Sequence, residues 1–135
     1  LLLRGMVERN YGRMVYTSST AARIAEPAGS AYNCSKHGLL GLMRSVAQDG
    51  GAHGVTSNAV LPGWVRTEMA ERSADAQARD RGVSPQEIWK ERDAMYLPGR
   101  VVTPGEVAEM IAFLASEESG GVSGQAITVA LGNEW

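Results

Sequence analysis

Apolar positions form either short unbroken runs or stretches with helical spacing, and the two kinds alternate along the chain. The short runs are rich in β-branched residues and predict strands at Arg13–Thr17, Val55–Val60 and Gln125–Leu131. The spaced stretches predict helices at Leu1–Arg9 and Ser30–Gln48, and another that opens with the capping box Thr103–Glu106. Strands that alternate with helices predict an α/β fold with a parallel, doubly wound sheet.

Glycine and proline residues predict where these elements end. Gly50-Gly51 is expected to stop the second helix, and Pro62 is expected to lie beyond the second strand, since proline cannot continue a central strand. Gly38 and Gly41 weaken the second helix by up to about 1 kcal/mol each relative to alanine. This cost indicates that another backbone approaches the helix closely there.

Residues 68–100 interrupt the alternation with a charge-rich, weakly patterned segment. The segment contains a capping box at Ser84–Glu87 and several large apolar side chains, among them Trp89, Met95 and Tyr96. A charged segment with embedded aromatic residues, directly after a strand, is typical of a lid over a pocket. The alternative is a solvated surface insertion.

Composition narrows the class of protein. The 135 residues suit one domain, and a net charge of −2 gives no electrostatic reason to expect a nucleic-acid or membrane partner. No apolar run approaches the roughly 18 residues of a spanning helix, and the scattered histidines predict no metal cluster. Cys34 is the single cysteine, which predicts a reducing cytoplasm, and we interpret it as a packed small residue rather than a nucleophile.

The stretch Ser18–Lys36 carries a candidate group for acid–base chemistry. Tyr32 and Lys36 are four residues apart, so on a helix they share one face with Cβ atoms roughly 5–6 Å apart. A neighbouring ammonium favours the deprotonated phenol, and Ser19 offers a hydroxyl to hold a reacting carbonyl. By spacing alone such a pair is common on helices, and the serines could equally cap a turn.

Four motifs together resemble the short-chain dehydrogenase/reductase superfamily. They are G-R-M-V-Y-T-S-S at Gly12–Ser19, Y-x-x-x-K at Tyr32–Lys36, N-A-x-x-P-G-x-V-x-T at Asn58–Thr67 and T-P-x-E-V-A…F-L-A-S at Thr103–Ser116. Their order and spacing match the family over nearly the whole chain. The resemblance implies that residues 1–135 are the C-terminal part of a Rossmann domain, with 68–100 as a substrate-binding lid. It also implies an oxidoreductase that uses NAD or NADP on a secondary alcohol or ketone.

The resemblance implies a role for each matching residue. Ser19 would hydrogen-bond the substrate oxygen, Tyr32 would give or take its proton, and Lys36 would favour the phenolate and bind the nicotinamide ribose. The nicotinamide side of the cofactor would be lined by Pro62, Gly63, Val65 and Thr67. Ser19 would share substrate binding with Trp64, Met69, Trp89, Met95 and Tyr96. The large residues of this last set could equally be core residues that seat the lid.

Three features that the family carries upstream are not found in these residues: the first strand with its glycine-rich pyrophosphate turn, the residue that separates NAD from NADP, and a catalytic asparagine. The start at Leu1-Leu2-Leu3, without Met, also predicts the C-terminal part of a longer protein. The 135 residues alone are therefore expected to bind no dinucleotide, with activity in the longer product. The alternative is a truncated, non-catalytic module for binding or oligomerisation. An epimerase or dehydratase of the extended branch would share the Tyr32–Lys36 pair.

The substrate and the assembly are predicted in outline only. Gly82–Ile88 and Val101–Val107 resemble 3-hydroxybutyrate dehydrogenases, while similar lids serve diols, sugar alcohols and 3-oxoacyl compounds. The partners implied are a small-molecule substrate and further copies of the chain, as a homodimer or homotetramer. The helix Leu1–Arg9 and the Gly38/Gly41 face resemble the family's paired-helix interface.

Overall fold

The computed structural model describes residues 2–25, 27 and 29–133. The described helices and strands follow the predicted order, with a short 3₁₀ turn at Thr20–Ala22. In chain order they are α1 (Leu2–Glu8), β1 (Gly12–Thr17), α2 (Ser30–Gly51), β2 (Val55–Pro62), α3 (Glu68–Arg81), α4 (Pro85–Ala94), α5 (Pro104–Ala115) and β3 (Ala126–Val129). The predicted start of α1 at Leu1 lies outside the described residues.

The three strands form a parallel sheet in the order β1-β2-β3. Both faces of β2 are buried, and successive side chains of a strand point to opposite faces. Ala59 and Leu61 pack with Leu40 and Met43 of α2, whereas Val60 packs in a cluster with residues of α5. Helices therefore cover both faces of the sheet, which confirms the predicted doubly wound α/β arrangement.

The second strand continues through Pro62, so the prediction that Pro62 lies beyond the sheet is wrong. Pro62 is in register with Val129 of β3, and the amide of Gly63 donates to the Val129 carbonyl oxygen at 3.1 Å. Because successive amides point to opposite sides of a strand, the nitrogen of Pro62 faces the β1 side. The pairing of β1 with β2 has already ended at Thr17 and Val60, so the missing N–H breaks no bond between those strands.

The second helix also continues further than predicted, because Gly50 and Gly51 lie inside it. A Cβ on Gly50 would come within 2.9 Å of the Val55 Cβ, so glycine serves close packing between α2 and β2. The turn to β2 is made instead by Gly54, whose φ of 66° lies in the left-handed region that favours glycine.

Residues 68–100 form two helices, and their apolar side chains share a buried cluster with two residues from outside the segment. Both predicted capping boxes are present, at Ser84 with Glu87 and at Thr103 with Glu106. The buried cluster comprises Ala70, Ala74, Ala78, Ile88, Trp89, Tyr96, Val101 and Ala130. The alanines recur every four residues along α3, which lets α4 pack closely against that face.

The outer face of α2 corrects one prediction. Cys34 is exposed and does not pack in the interior. Its neighbour Asn33 is buried instead, because adjacent helical positions differ in direction by about 100°. No atom among the described residues lies within 4 Å of a Cβ built on Gly38 or Gly41. The predicted close approach at these glycines is therefore not made within the described chain, and the predicted oligomer stays a prediction.

The described part of the chain has neither a membrane-spanning helix nor a cluster of metal ligands. None of its helices combines the length and the apolar character needed to cross a membrane. No group of three or more metal-ligating side chains comes together in the same residues.

Candidate active site

The candidate site lies where the carboxyl ends of β1 and β2 meet the first turns of α2. Ser18 and Ser19 directly follow β1, and Gly63 directly follows β2. Tyr32 and Lys36 project from the first two turns of α2, which packs on β2. In parallel α/β sheets the carboxyl ends of neighbouring strands share one edge, where ligands bind.

Hydrogen bonds join β1 to the helix that carries Tyr32 and Lys36. The Ser18 hydroxyl donates to the Lys36 carbonyl oxygen at 3.0 Å, and Ser18 is buried. The Lys36 ammonium donates to the Thr17 carbonyl oxygen at 3.1 Å. These two bonds hold the lysine of α2 against the end of β1 from both its backbone and its side chain.

The predicted pair on α2 is brought together. The Lys36 Nζ lies 5.5 Å from the centroid of the Tyr32 ring. The Tyr32 side chain is half exposed at the edge of the cavity, where its hydroxyl can reach a ligand. Proton exchange requires the phenol to come within hydrogen-bond reach of the bound oxygen, and the exposure of Tyr32 at the cavity allows that.

Ser19 has a structural role as well as a position in the site. Its hydroxyl oxygen accepts the backbone N–H of Ala21 at 3.1 Å and caps the 3₁₀ turn. A hydroxyl has one donor and two acceptor positions, so this bond leaves its proton available. The turn-capping alternative is therefore confirmed, and it is compatible with binding a carbonyl.

One cavity of about 370 Å³ is lined by Ser19, Tyr32 and Lys36, which form the predicted catalytic triad, and by most of the other predicted site residues. Its described lining consists of Thr17, Ser18, Ser19, Thr20, Tyr32, Lys36, Pro62, Gly63, Trp64, Val65, Thr67, Met69, Ala70 and Ser73. All four residues predicted on the nicotinamide side are in this set. The triad and those four residues therefore share one crevice.

Backbone geometry leaves polar groups available at Val65 and Thr67, two of the residues predicted to face the nicotinamide. Val65 forms an isolated parallel bridge with Val102. In this bridge the Val102 N–H donates to the Trp64 carbonyl oxygen, and the Arg66 N–H donates to the Val102 carbonyl oxygen. The N–H and C=O of Val65 itself consequently point away from Val102. The Thr67 hydroxyl oxygen caps α3 by accepting the Ala70 N–H at 3.3 Å, and its proton stays available for a ligand.

Three residues predicted to bind substrate do not line this cavity. Trp89 and Tyr96 are buried in the apolar cluster beneath α3 and α4. They are therefore core residues that hold segment 68–100 in place, and they are outside the described cavity lining. The Trp89 indole donates to Glu71 at 2.7 Å, and the Tyr96 hydroxyl accepts the Trp64 N–H at 2.5 Å. Met95 is exposed and is likewise outside the described lining.

Sequence reasoning missed several residues at the site. Ala70 and Ser73 line the cavity from α3, three and six positions after Thr67, and helical spacing from Thr67 would have found them. Arg92 was missed without any sequence signal. Its guanidinium is buried beneath the cavity wall, 3.8 Å from the Trp64 ring centroid, and donates to the Ala70 carbonyl oxygen at 3.0 Å.

Comparison with known proteins agrees with this geometry. Residues 2–133 match a family model that is described as enoyl-(acyl carrier protein) reductase. A D-β-hydroxybutyrate dehydrogenase of Cupriavidus necator is 34% identical over 125 residues, which cover 92% of this chain and 48% of that protein. The chain thus spans about half the length of this relative.

Two solved structures share the fold over almost the whole chain. A short-chain dehydrogenase family protein from Francisella tularensis superposes with a TM-score of 0.89 at 27% identity, over 98% of this chain and 55% of that one. An actinorhodin polyketide ketoreductase with NADPH gives a TM-score of 0.89 at 36% identity, over 96% of this chain and 49% of that one. With the family match over residues 2–133, these similarities establish that the chain belongs to the short-chain dehydrogenase/reductase family, as its motifs predict.

Proposed function

We propose that this chain carries the proton-transfer half of an NAD(P)-dependent oxidoreductase that interconverts a secondary alcohol and a ketone. The observation that carries the proposal is the single cavity shared by Ser19, Tyr32 and Lys36 with the turn after β2. The relatives support it, since one is a hydroxybutyrate dehydrogenase and another a ketoreductase solved with NADPH.

The residues of the triad have distinct tasks in this proposal. In the reduction direction, the Tyr32 hydroxyl gives its proton to the carbonyl oxygen as that oxygen gains negative charge. The Ser19 hydroxyl donates a hydrogen bond to the same oxygen and keeps it in place. The ammonium of Lys36 stabilises the phenolate that remains, at the 5.5 Å separation seen between Nζ and the Tyr32 ring.

The residues present fit the nicotinamide end of the cofactor. Pro62, Gly63, Val65 and Thr67 form one side of the cavity, with backbone groups and a hydroxyl that suit a carboxamide. Lys36 would bind the ribose hydroxyls from α2. The bound cofactor supplies or accepts the hydride at the substrate carbon, while the protein orients both partners.

Segment 68–100 acts in this proposal as a lid over the substrate. Met69, Ala70 and Ser73 of α3 line the cavity, whereas α4 packs behind α3 and does not line it. Movement of the segment would therefore open and close the substrate side without displacing Tyr32 or Lys36.

Replacement of Tyr32 by phenylalanine tests the assignment. In the full-length protein, Tyr32→Phe removes only the proton donor, so nicotinamide-dependent turnover should fall at least about 100-fold. Tyr11→Phe is the matched control, because Tyr11 is exposed beside Arg13 and outside the described cavity lining. Absorbance at the reduced nicotinamide band measures both variants. Full activity of Tyr32→Phe would refute the assigned mechanism.

A further inference from the structure

The turn after β2 receives three contacts from residues 92–102, and all three meet Trp64. The Trp64 N–H donates to the Tyr96 hydroxyl oxygen at 2.5 Å, and the Trp64 carbonyl oxygen accepts the Val102 N–H at 3.0 Å. The Arg92 guanidinium lies 3.8 Å from the centroid of the Trp64 ring. The backbone and the ring of Trp64 are therefore both held by a part of the chain that is distant in sequence.

The turn lines the cavity, whereas its three partners are outside the described lining. Gly63, Trp64 and Val65 belong to that lining. Tyr96 is 3% exposed and lies in the apolar cluster beneath α3 and α4. An effect of Tyr96 on a molecule in the cavity therefore has to pass through the turn.

The Tyr96 hydroxyl accepts the first N–H beyond the pairing of β2 with β3. That pairing ends at Pro62 and Val129, and the Gly63 N–H makes its last bond, to the Val129 carbonyl oxygen at 3.1 Å. One residue later, the Trp64 N–H reaches the phenol instead. Because Tyr96 is almost fully buried, water does not readily replace its hydroxyl, and loss of this bond costs more than loss of a bond at the surface.

Gly63 makes room for the phenol. A Cβ built on Gly63 would overlap the Tyr96 hydroxyl oxygen and would lie 3.2 Å from the Ala130 Cβ. A residue without a side chain is therefore needed where the turn passes Tyr96. Gly63 and the Tyr96 hydroxyl fit each other, so the hydroxyl determines the path of the chain through the turn.

We propose that Tyr96 is a positioning residue for the nicotinamide end of the cofactor: its hydroxyl holds the Trp64 N–H and thereby fixes the Gly63–Val65 turn against which that end binds. The inference rests on the proposed function, in which this turn belongs to the nicotinamide side of the cavity. It gives the far end of segment 68–100 a task in cofactor binding from outside the described lining. The coupling is reciprocal, so a bound cofactor stabilises the contact between the turn and Tyr96.

Tyr96→Phe in the full-length protein removes the acceptor and keeps the buried ring. The dissociation constant of the nicotinamide cofactor, measured by isothermal titration calorimetry, should rise about tenfold, because binding then has to restore the turn. At saturating cofactor the turn is restored and the triad is unchanged, so kcat should stay within about twofold of the parent. An unchanged dissociation constant, or a fall in kcat alone, overturns the proposal.

Tyr16→Phe is the matched control. Tyr16 is a half-buried tyrosine on β1, outside the described cavity lining, and its hydroxyl contacts the Met14 sulfur at 3.9 Å. This variant loses the same atom, so a loss of affinity that comes from general destabilisation would appear in both variants. An equal rise of the dissociation constant in both variants therefore contradicts the role of Tyr96.

Combination with Gly63→Ala shows whether Tyr96 acts through the turn. In Gly63→Ala the new Cβ pushes the turn away from the Tyr96 hydroxyl, so the bond to Trp64 is already lost. The double variant Gly63→Ala/Tyr96→Phe should therefore bind the cofactor within about threefold of Gly63→Ala alone. A further tenfold loss in the double variant, as for independent sites, contradicts the route through the turn.

Amide hydrogen exchange distinguishes failure of this proposal from failure of the proposed function. If the full-length protein binds neither NAD nor NADP, the proposed function fails. Exchange of the Trp64 amide in the protein without cofactor then decides whether Tyr96 positions the turn. Exchange that is about tenfold faster in Tyr96→Phe, relative to the Ala59 amide of β2, supports the positioning role, and an unchanged rate overturns it.

Discussion

Arg92 gives the sharpest test of how the cavity wall is held. Its buried guanidinium donates to the Ala70 carbonyl oxygen at 3.0 Å, the Ser73 hydroxyl at 3.1 Å and the Gln77 side chain at 3.4 Å. The same group lies 3.8 Å from the Trp64 ring centroid. One side chain of α4 therefore ties together α3 and the turn after β2.

The free energy lost on substitution depends on whether the charge stays. Hydrogen bonds from a charged donor are worth about 1.5–3 kcal/mol each, and the ring contact adds about 0.5–2 kcal/mol. Against this stands the cost of burying a cation, several kcal/mol, which an apolar replacement recovers. We therefore expect Arg92→Met to destabilise the protein by about 2 kcal/mol, and Arg92→Lys by about 4 kcal/mol. Lysine loses the planar fork and the stacking but keeps a buried charge.

Urea denaturation measures both variants. If the free energy of unfolding falls by about 2 kcal/mol per M of urea, a loss of about 2 kcal/mol in stability lowers the urea midpoint by about 1 M. Amide hydrogen exchange in the variants should accelerate more in α3 and α4 than in β2, because Arg92 lies on α4 and donates its hydrogen bonds to α3. Arg79→Met is the control, since Arg79 is exposed on α3, and it should stay within about 0.5 kcal/mol of the parent.

The relative stability of Arg92→Lys and Arg92→Met shows which property of the guanidinium matters. If Arg92→Lys is as stable as the parent, the planar hydrogen-bonding fork is not what holds the wall. If Arg92→Met is the less stable of the two, the hydrogen bonds of the guanidinium outweigh the cost of burying its charge, contrary to the expected order.

Two further predictions concern single positions. The hydrogen bond from Arg100, together with the capping N–H of Thr103, lowers the pKa of Glu106 to about 2 from an ordinary 4.5. The ionised carboxylate therefore stabilises the folded protein fully above pH 4.5, and this stabilisation is lost as the pH falls through 2. An NMR titration should show that midpoint, and Arg100→Gln should raise it. Gly63→Ala would push a Cβ into the Tyr96 hydroxyl and should cost about 2 kcal/mol by urea denaturation. Gly51→Ala meets nothing within 4 Å, so an equal loss there would contradict this explanation.

Local sequence determined most of the secondary structure. Apolar spacing placed α2 and the strands, and the two capping boxes placed the starts of α4 and α5. These signals act within a few residues of each other, so no knowledge of the fold is needed to interpret them. The order of elements then restricted the topology to a parallel sheet with helices on both faces.

The chemistry of the site was also readable at short range. Tyr32 and Lys36 are neighbours on one helical face wherever α2 lies, and Ser19 follows a strand directly. Helical spacing alone, however, does not bring Ser19 near the pair. Ser19, Tyr32 and Lys36 share one cavity because α2 packs against β1 and β2, which is a contact of the tertiary structure.

Tertiary packing decided what the local pattern left open. Trp89 and Tyr96 had the same apolar character as Trp64 and Met69, yet α4 packs behind α3 and buries the first two in its own cluster. Pro62 extends β2 because β1 has already ended on the side that needs an N–H. Arg92 carried no signal at all, since a buried cation becomes tolerable only when distant carbonyl and ring groups converge on it. Short-range sequence patterns therefore identify which side chains could do chemistry, and long-range packing decides which of them line the same cavity.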